Sequence, residues 1–411
     1  MTILILHRGK ASAYPYAQWL TDLGEELVLL ASAEDLDGEP VAAPGNGYAH
    51  VEVIGDWDAG GEPEARVLEL AGHHRFSRIV ARHERDLLRA AGLRQMLDLP
   101  GHRPAEALAF RDKALMKQLA AEAGVAVADH RVIDDWADAL SFAEHRGFPV
   151  VVKSRTGGGA MDNWTVHSTD DLVDVLDGPL DAHSRLEPNL LVEAFVNGAM
   201  FHVDGLAIDG KLALAWPSQY LDPLGSFRVD PVRLDVMLDP DDDLTRPLLA
   251  FAERLLLALP SPEVCAFHAE IFREPTGRLV LCEVAARAGG ARIRDIMTAA
   301  FGIDLTAAAT RGQLGLPIPE LDSRMPAPST LAGQILVMKR PGTVLSVPRE
   351  VPLPGVRGYE WKVTEGQRLT DAKKSGDVVA SAVVVGPTAE VVERRLRDVR
   401  TFLTRELIIE G

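Results

Sequence analysis

The chain has 411 residues, 47% hydrophobic and 25% charged, which marks a folded globular protein of two or three domains and excludes a disordered one. Its 43 lysines and arginines face 60 aspartates and glutamates, a formal net charge of −17. That balance excludes a broad basic face for nucleic acid and adhesion to anionic lipid; a small polyanion remains possible only where a few cations gather in one place.

Met1–Leu6 leads into His7-Arg8-Gly9-Lys10 without the layout of a secretory signal. No apolar run approaches the roughly 18 residues needed to span a bilayer. Cys265 and Cys282 form neither a disulfide framework nor a CxxC site, so a cytoplasmic protein with reduced core thiols is expected.

The elements alternate from the start. Residues 3–6 read as a buried strand, 15–24 as a helix, 27–30 and 78–81 as strands, and 84–97 as a helix stopping before Pro100-Gly101. This β-α-β order predicts a doubly wound parallel domain. Residues 40–61, rich in Gly, Pro and Asp, read as loop, and no GxGxxG follows the first strand. Helical spacing returns at 112–122 and 136–145, and a strand at 149–154 opens into Arg155-Thr156-Gly157-Gly158-Gly159. Strands follow at 190–195, 201–208 and 211–216, the last two joined by the hairpin signal Asp209-Gly210. After a helix at 244–257, strands at 264–272 and 278–284 are joined by residues 274–277. Two helices, a proline-rich linker at 317–328, and a tail of strands with a final helix at 388–408 complete the chain.

Three features carry chemistry. Lys153 ends an apolar strand directly before three glycines, whose bare backbone can approach and cradle phosphate. Glu270 and Glu283 lie in apolar strands. If the turn pairs Phe272 with Leu279, His268 opposes Glu283 and Glu270 opposes Leu281, so period-two alternation puts His268, Glu270 and Glu283 on one face. Two carboxylates there suit Mg²⁺, a hard cation that also takes phosphate oxygens; a slip of one residue would separate them. Arg287, before Gly289-Gly290, can stabilise charge on a transferred phosphoryl group.

The order of these motifs resembles the ATP-grasp superfamily of carboxylate–amine ligases, most of all the bacterial L-amino-acid ligases. The resemblance rests on Arg111-Asp112-Lys113, Val151-Val152-Lys153 with its glycines, the stretch from Leu191 to Gly198, His268-Ala269-Glu270, and Cys282 through Gly290. It covers roughly residues 105–315. It implies an α/β and α+β architecture: an N-terminal doubly wound domain (1–105), a lid subdomain with the glycine-rich loop (106–195), a core subdomain with the metal site (196–325) and a C-terminal α+β domain (326–411).

The resemblance also implies roles. Lys113 and Lys153 bind ATP phosphates under a lid of Gly157, Gly158 and Gly159. Glu193 holds the adenine amino edge, with the backbone of Ala194 and Val196. Glu270 and Glu283 ligate Mg²⁺ or Mn²⁺, and Arg287 stabilises the acyl phosphate. His202, His268, Arg155, Ala291 and Arg292 are candidates for the substrate pocket. Two positions depart from the family pattern: Met200 stands where a ribose-binding glutamate is usual, and Ala285 where a metal-binding asparagine is usual. The expected reaction is ATP-dependent amide formation between small-molecule carboxylate and amine substrates, by a homodimer. The alternatives are a biotin-carboxylase-like enzyme phosphorylating bicarbonate or another carboxylate, and a non-catalytic nucleotide-binding protein.

Overall fold

The structure, a computed structural model, describes all residues except 37, 42–46, 159–162, 178–188, 223–230, 320 and 322–324. The chain starts with a four-stranded parallel sheet in the order β3-β2-β1-β4, built from β1 (Thr2–His7), β2 (Glu26–Ser32), β3 (Tyr48–Ile54) and β4 (Phe76–Ala81). Every residue of β1 is buried, as a parallel strand covered on both faces requires. Two sequence readings need correction here. β3 falls inside the stretch expected to be loop: its strand-forming Tyr48, Val51, Val53 and Ile54 outweigh the flanking glycines and prolines. The expected helix at 15–24 shrinks to one turn, Tyr16–Trp19, after Pro15.

A second four-stranded sheet, ordered β5-β8-β6-β7, holds β5 (His130–Ile133), β6 (Val150–Ser154), β7 (Asn163–Val166) and β8 (Leu190–Ala194), with β6 and β8 antiparallel neighbours. The remaining strands are β9 (Ala199–Ile208), β10 (Lys211–Tyr220), β11 (Val232–Met237), β12 (Val264–Arg273), β13 (Leu279–Ala285), β14 (Leu331–Met338), β15 (Gly342–Ser346), β16 (Val356–Trp361), β17 (Arg368–Leu369), β18 (Val378–Gly386) and β19 (Ile408–Glu410). Eight of them make one large sheet, β13-β12-β9-β10-β11-β14-β18-β16, and β17-β15-β19 form a small one. Strands from the last quarter of the chain therefore extend the central sheet. The β9–β10 turn places Asp209 at φ 50° and Gly210 at φ 75°, the left-handed pair that an Asp-Gly hairpin needs.

The large sheet positions the site by having two unlike faces. On one, Phe201 and Val203 of β9 and Phe267, Ala269 and Ile271 of β12 pack beneath helices Lys113–Glu122 and Thr245–Ala258. Each large apolar side chain buried there contributes about 1.5–3 kcal/mol. The alternate residues, His202 and Asp204 of β9 and His268 and Glu270 of β12, point the other way. Helices Ile293–Phe301 and Leu305–Gln313 cover only the far end of that face, around Leu206, Leu214 and Ala266.

Candidate active site

A cleft of about 2170 Å³ opens between the three main sheets. Its walls are the open face of the large sheet, the ends of β6 and β8, and the loops after β1 and β4. Loops at the carboxyl ends of parallel strands are where such sheets commonly hold ligands.

Helix Lys113–Glu122 joins the two antiparallel sheets. Asp112 caps it, accepting from the N–H groups of Ala114 and Leu115. Lys113 and Lys117, one turn apart, share a face. The Lys113 ammonium lies 3.2 Å from a Glu283 oxygen and donates to the carbonyl of Gly157 at 2.7 Å. Lys117 is fully buried, 3.2 Å from Glu193, and donates to the carbonyls of Leu281 and Cys282. Lys153, at the end of β6, lies 2.9 Å from the other Glu193 oxygen. Glu193 thus stands buried between two ammonium groups. Burial opposes its ionisation, but the two lysines outweigh that and hold it below the usual carboxylate range.

The β12–β13 hairpin brings the two site glutamates together by a route the sequence did not show. The turn is longer than expected, so Arg273 pairs with Leu279, Phe272 with Val280 and Ile271 with Leu281. That register would turn Glu283 away from Glu270. A β-bulge at Cys282, opposite the step between Ile271 and Glu270, then shifts it by one, so Glu270 pairs directly with Glu283, and His268 with Ala285. The expected pairs of His268 with Glu283 and Glu270 with Leu281 are therefore wrong, while the shared face holds. The donor set fits a divalent cation: two opposed carboxylates facing the cleft, one near Lys113 and one accepting from the Tyr220 hydroxyl at 3.0 Å. Burial raises the Glu283 carboxyl, but Lys113 and Lys153 pull it down to about 2, so it is a carboxylate at neutral pH. Ala285 faces the same side and offers no ligand.

Arg287 follows β13 and meets the loop after β4. Its guanidinium donates to Glu84 from Nε at 2.9 Å and from Nη2 at 2.5 Å. Arg111 reaches the other Glu84 oxygen. Burial works against the Glu84 charge, but Arg287 and Arg111 together keep it ionised. The N-terminal sheet thereby contributes a carboxylate that aims the arginine.

His202, Asp204 and His268 cluster on the same floor. Asp204 accepts from His202 Nδ1 at 2.5 Å and from His268 Nδ1 at 2.9 Å. Their ligand atoms are close enough to share an ion. Burial alone would discharge both rings, but Asp204 outweighs it, raising His202 to about 9 and His268 to about 10. At neutral pH both are therefore N–H donors to a carboxylate and lack the lone pairs a metal needs at those atoms. The sign of the linkage follows. A raised imidazole pKa lends stability that is full below about 6.5 and is lost as pH rises through 9 to 10. The melting temperature, measured at fixed salt, is expected to fall between pH 7 and 10, with a shallower fall in Asp204→Asn. A flat profile in the unaltered protein would refute the pairing.

The remaining sequence candidates divide. Ala194 ends β8 and Val196 follows it; both line the cleft, as do Gly157 and Gly158, while Gly159 lies outside the described residues. Ala291 lines it with φ 52°, and Arg292 lines it while paired to Asp295 at 2.5 Å and Glu360 at 3.5 Å. Arg155 is engaged by Asp112, the cap of the lysine helix, and does not line the cleft; His202 lies beneath the floor, 1% exposed. Met200 lines the cleft as an apolar surface. Sequence reasoning missed Lys117, Glu84, Asp204 and Tyr220. Lys117 was recoverable as the residue one turn after Lys113, and Asp204 as the residue two after His202 on an alternating strand.

Residues 112–203 match the family described as carbamoyl-phosphate synthase L chain, ATP binding domain. The L-arginine-specific L-amino acid ligase of Bacillus subtilis is 26% identical over 260 residues, 62% of this chain and 62% of that protein. The chain thus aligns with under two thirds of that relative's length. The fold superposes on the L-amino acid ligase from Bacillus licheniformis with a TM-score of 0.72 at 18% identity, covering 100% of this chain and 99% of that one. It also superposes on a Hydrogenobacter thermophilus biotin carboxylase domain dimer complexed with MgADP, ADP and bicarbonate, with a TM-score of 0.68 at 17% identity, covering 100% and 90%. Among the described residues no helix is long and apolar enough to cross a membrane. Matched segment and fold together make the chain similar to the L-amino acid ligases over its sequence and to these ligases and the biotin carboxylases in its fold.

Proposed function

We propose that the protein is an ATP-dependent carboxylate–amine ligase acting on amino acids. The observation that carries this reading is the convergence of Lys113, Lys153, Glu270, Glu283 and Arg287 in one cleft. Lys113 and Lys153 neutralise the phosphates, beneath Gly157 and Gly158. Glu193, Ala194 and Val196 form the adenine end. Val196 N–H has no hydrogen-bond partner among the described residues, whereas Ala194 N–H is taken by the Asp129 carbonyl at 2.9 Å. Glu270 and Glu283 would hold Mg²⁺, which when bound neutralises charge on the β- and γ-phosphates.

The substrate carboxylate attacks the γ-phosphorus, the bond to the bridging oxygen breaks, and ADP leaves. Arg287 stabilises the charge that develops on the transferred group. The amine then attacks the acyl carbon, phosphate departs, and the nitrogen loses a proton to give the amide. The carboxylase-like alternative rests on the match of residues 112–203 to the carbamoyl-phosphate synthase family and on likeness of fold.

The test incubates the protein with ATP, Mg²⁺ and pairs of amino acids. Phosphate release that requires a particular pair, with a product at the summed mass less water, is expected. ATP binding with no pair-dependent release would sink the reading.

A further inference from the structure

The polar floor of the cleft does not end at Glu270. The register carries it across the large sheet: Glu270 pairs with His202, Tyr220 with Asp235, and Asp235 with Gln334, while Arg233 pairs with Leu336 and Leu336 with Ser381. Arg233 and Asp235, two apart on β11, share the face that lines the cleft.

Among the described residues, Arg233 Nε and Asp235 Oδ1 on this floor and His202 Nε2 beneath it lack hydrogen-bond partners. Their side chains are deeply buried, at 8%, 3% and 1% residue exposure. His202 Nε2 stands 3.9 Å from Asp235 Oδ1, within ion-pair distance but beyond hydrogen-bond reach, so the lone pair of Asp235 stays open. Among the described residues, Arg233 has no carboxylate partner; it lies 5.8 Å from the Tyr220 ring centroid. Asp235 is held in place by its other oxygen, which accepts from Gln334 Nε2 at 2.6 Å. Gln334 in turn accepts from the backbone N–H of Arg292 at 2.8 Å. A fixed carboxylate with one open lone pair, beside a buried guanidinium whose Nε has no partner among the described residues, is costly unless a ligand completes both.

We infer that Arg233 and Asp235 bind the carboxylate-donating substrate, and that this substrate is an amino acid bearing a second acidic group. Asp235 takes its ammonium and Arg233 its second carboxylate, while the carboxylate to be activated lies toward Glu270 and Arg287. This rests on the ligase reading and deepens it. The donor substrate is the one placed here because the floor is continuous with the metal-binding glutamates: Tyr220, cross-strand partner of Asp235, donates to Glu270. A neutral amino acid would leave Arg233 buried without an anion, and a site built around such a group discriminates strongly against an analogue that lacks its partner.

Hydroxylamine separates the donor from the acceptor, because it intercepts the acyl phosphate as a hydroxamate with release of phosphate. With ATP and Mg²⁺, aspartate or glutamate is expected to give hydroxamate with kcat/KM at least about tenfold above asparagine or glutamine. Arg233→Met should lower kcat/KM for the acidic donor about tenfold to a hundredfold, mainly through KM, and Arg233→Lys should recover part of it. ATP binding by each variant checks that it is folded, and the acid-over-amide preference of the unaltered protein needs no variant. Equal use of amides and acids, or an unchanged donor KM in Arg233→Met, overturns this inference and leaves the ligase reading standing. No hydroxamate from any of the twenty amino acids overturns the ligase reading and this one with it.

Discussion

Arg287→Met is expected to lower turnover by about a hundredfold to a thousandfold while ATP affinity changes only a few-fold. The guanidinium is the cation that follows β13, the strand of Glu283, and Glu84 aims it. Lys113, Lys153 and Glu283, which make the proposed phosphate and metal contacts, do not depend on it for their own partners. Its loss therefore falls on the transition state, where charge shifts onto the transferred phosphoryl group, and leaves the ground state mostly untouched. Single-turnover ADP formation and calorimetric ATP binding separate the two. Glu84→Gln provides the companion measurement. It keeps Arg287 but weakens its orientation, so kcat is expected to fall less than in Arg287→Met while KM for ATP holds. Parallel loss of binding and turnover in Arg287→Met would make it a ground-state contact and remove the role proposed for it.

Much of this site was legible because it is built from strand ends and alternation. Lys153 before the glycines and Arg287 before Gly289-Gly290 mark places where bare backbone can come close to a ligand, and such places need few distant residues to specify them. The shared face of Glu270 and Glu283 was also readable, though through a compensation: a longer turn and a bulge near Cys282 each shift the register by one, and together they restore the face. Single-sequence alternation has no term for a bulge, so the pairing itself was not accessible. Glu84 was invisible for another reason. It lies 203 residues from Arg287, in a loop that follows a strand of a different sheet, so only the packing of domains joins them. Arg233 and Asp235 were overlooked because no strand was read over 232–237, and the face they share is the floor of a cleft.

Glu193→Gln is expected to destabilise the protein by about 3–5 kcal/mol, the usual cost of removing one partner from a buried ion pair. Lys117 is 0%, Lys153 4% and Glu193 6% exposed, so the three charges share little water. Burial presses on both lysines to lose their protons. The nearby Glu193 outweighs that at Lys153, which stays above the usual lysine range, and fails to at Lys117, which lies below it. An amide at position 193 leaves two ammonium groups facing each other with no anion between them. Lys117→Met is expected to cost less. It leaves the Lys153–Glu193 pair intact and removes the more strained of the two cations, at the loss of donors to the carbonyls of Leu281 and Cys282. Combining Lys117→Met with Glu193→Gln should therefore be milder than the sum of the two, because the repulsion created by the second change is absent in the background of the first. Urea denaturation of the four proteins at pH 7 reads the whole cycle. The linkage adds a sign: a depressed carboxyl lends stability that is full above about pH 4.5 and fades below it, so Glu193→Gln should cost less below that pH than at pH 7. Additive losses, or a Glu193→Gln cost below about 1 kcal/mol, would mean that solvent reaches this cluster and that the lysines are held by the fold around them, independently of Glu193.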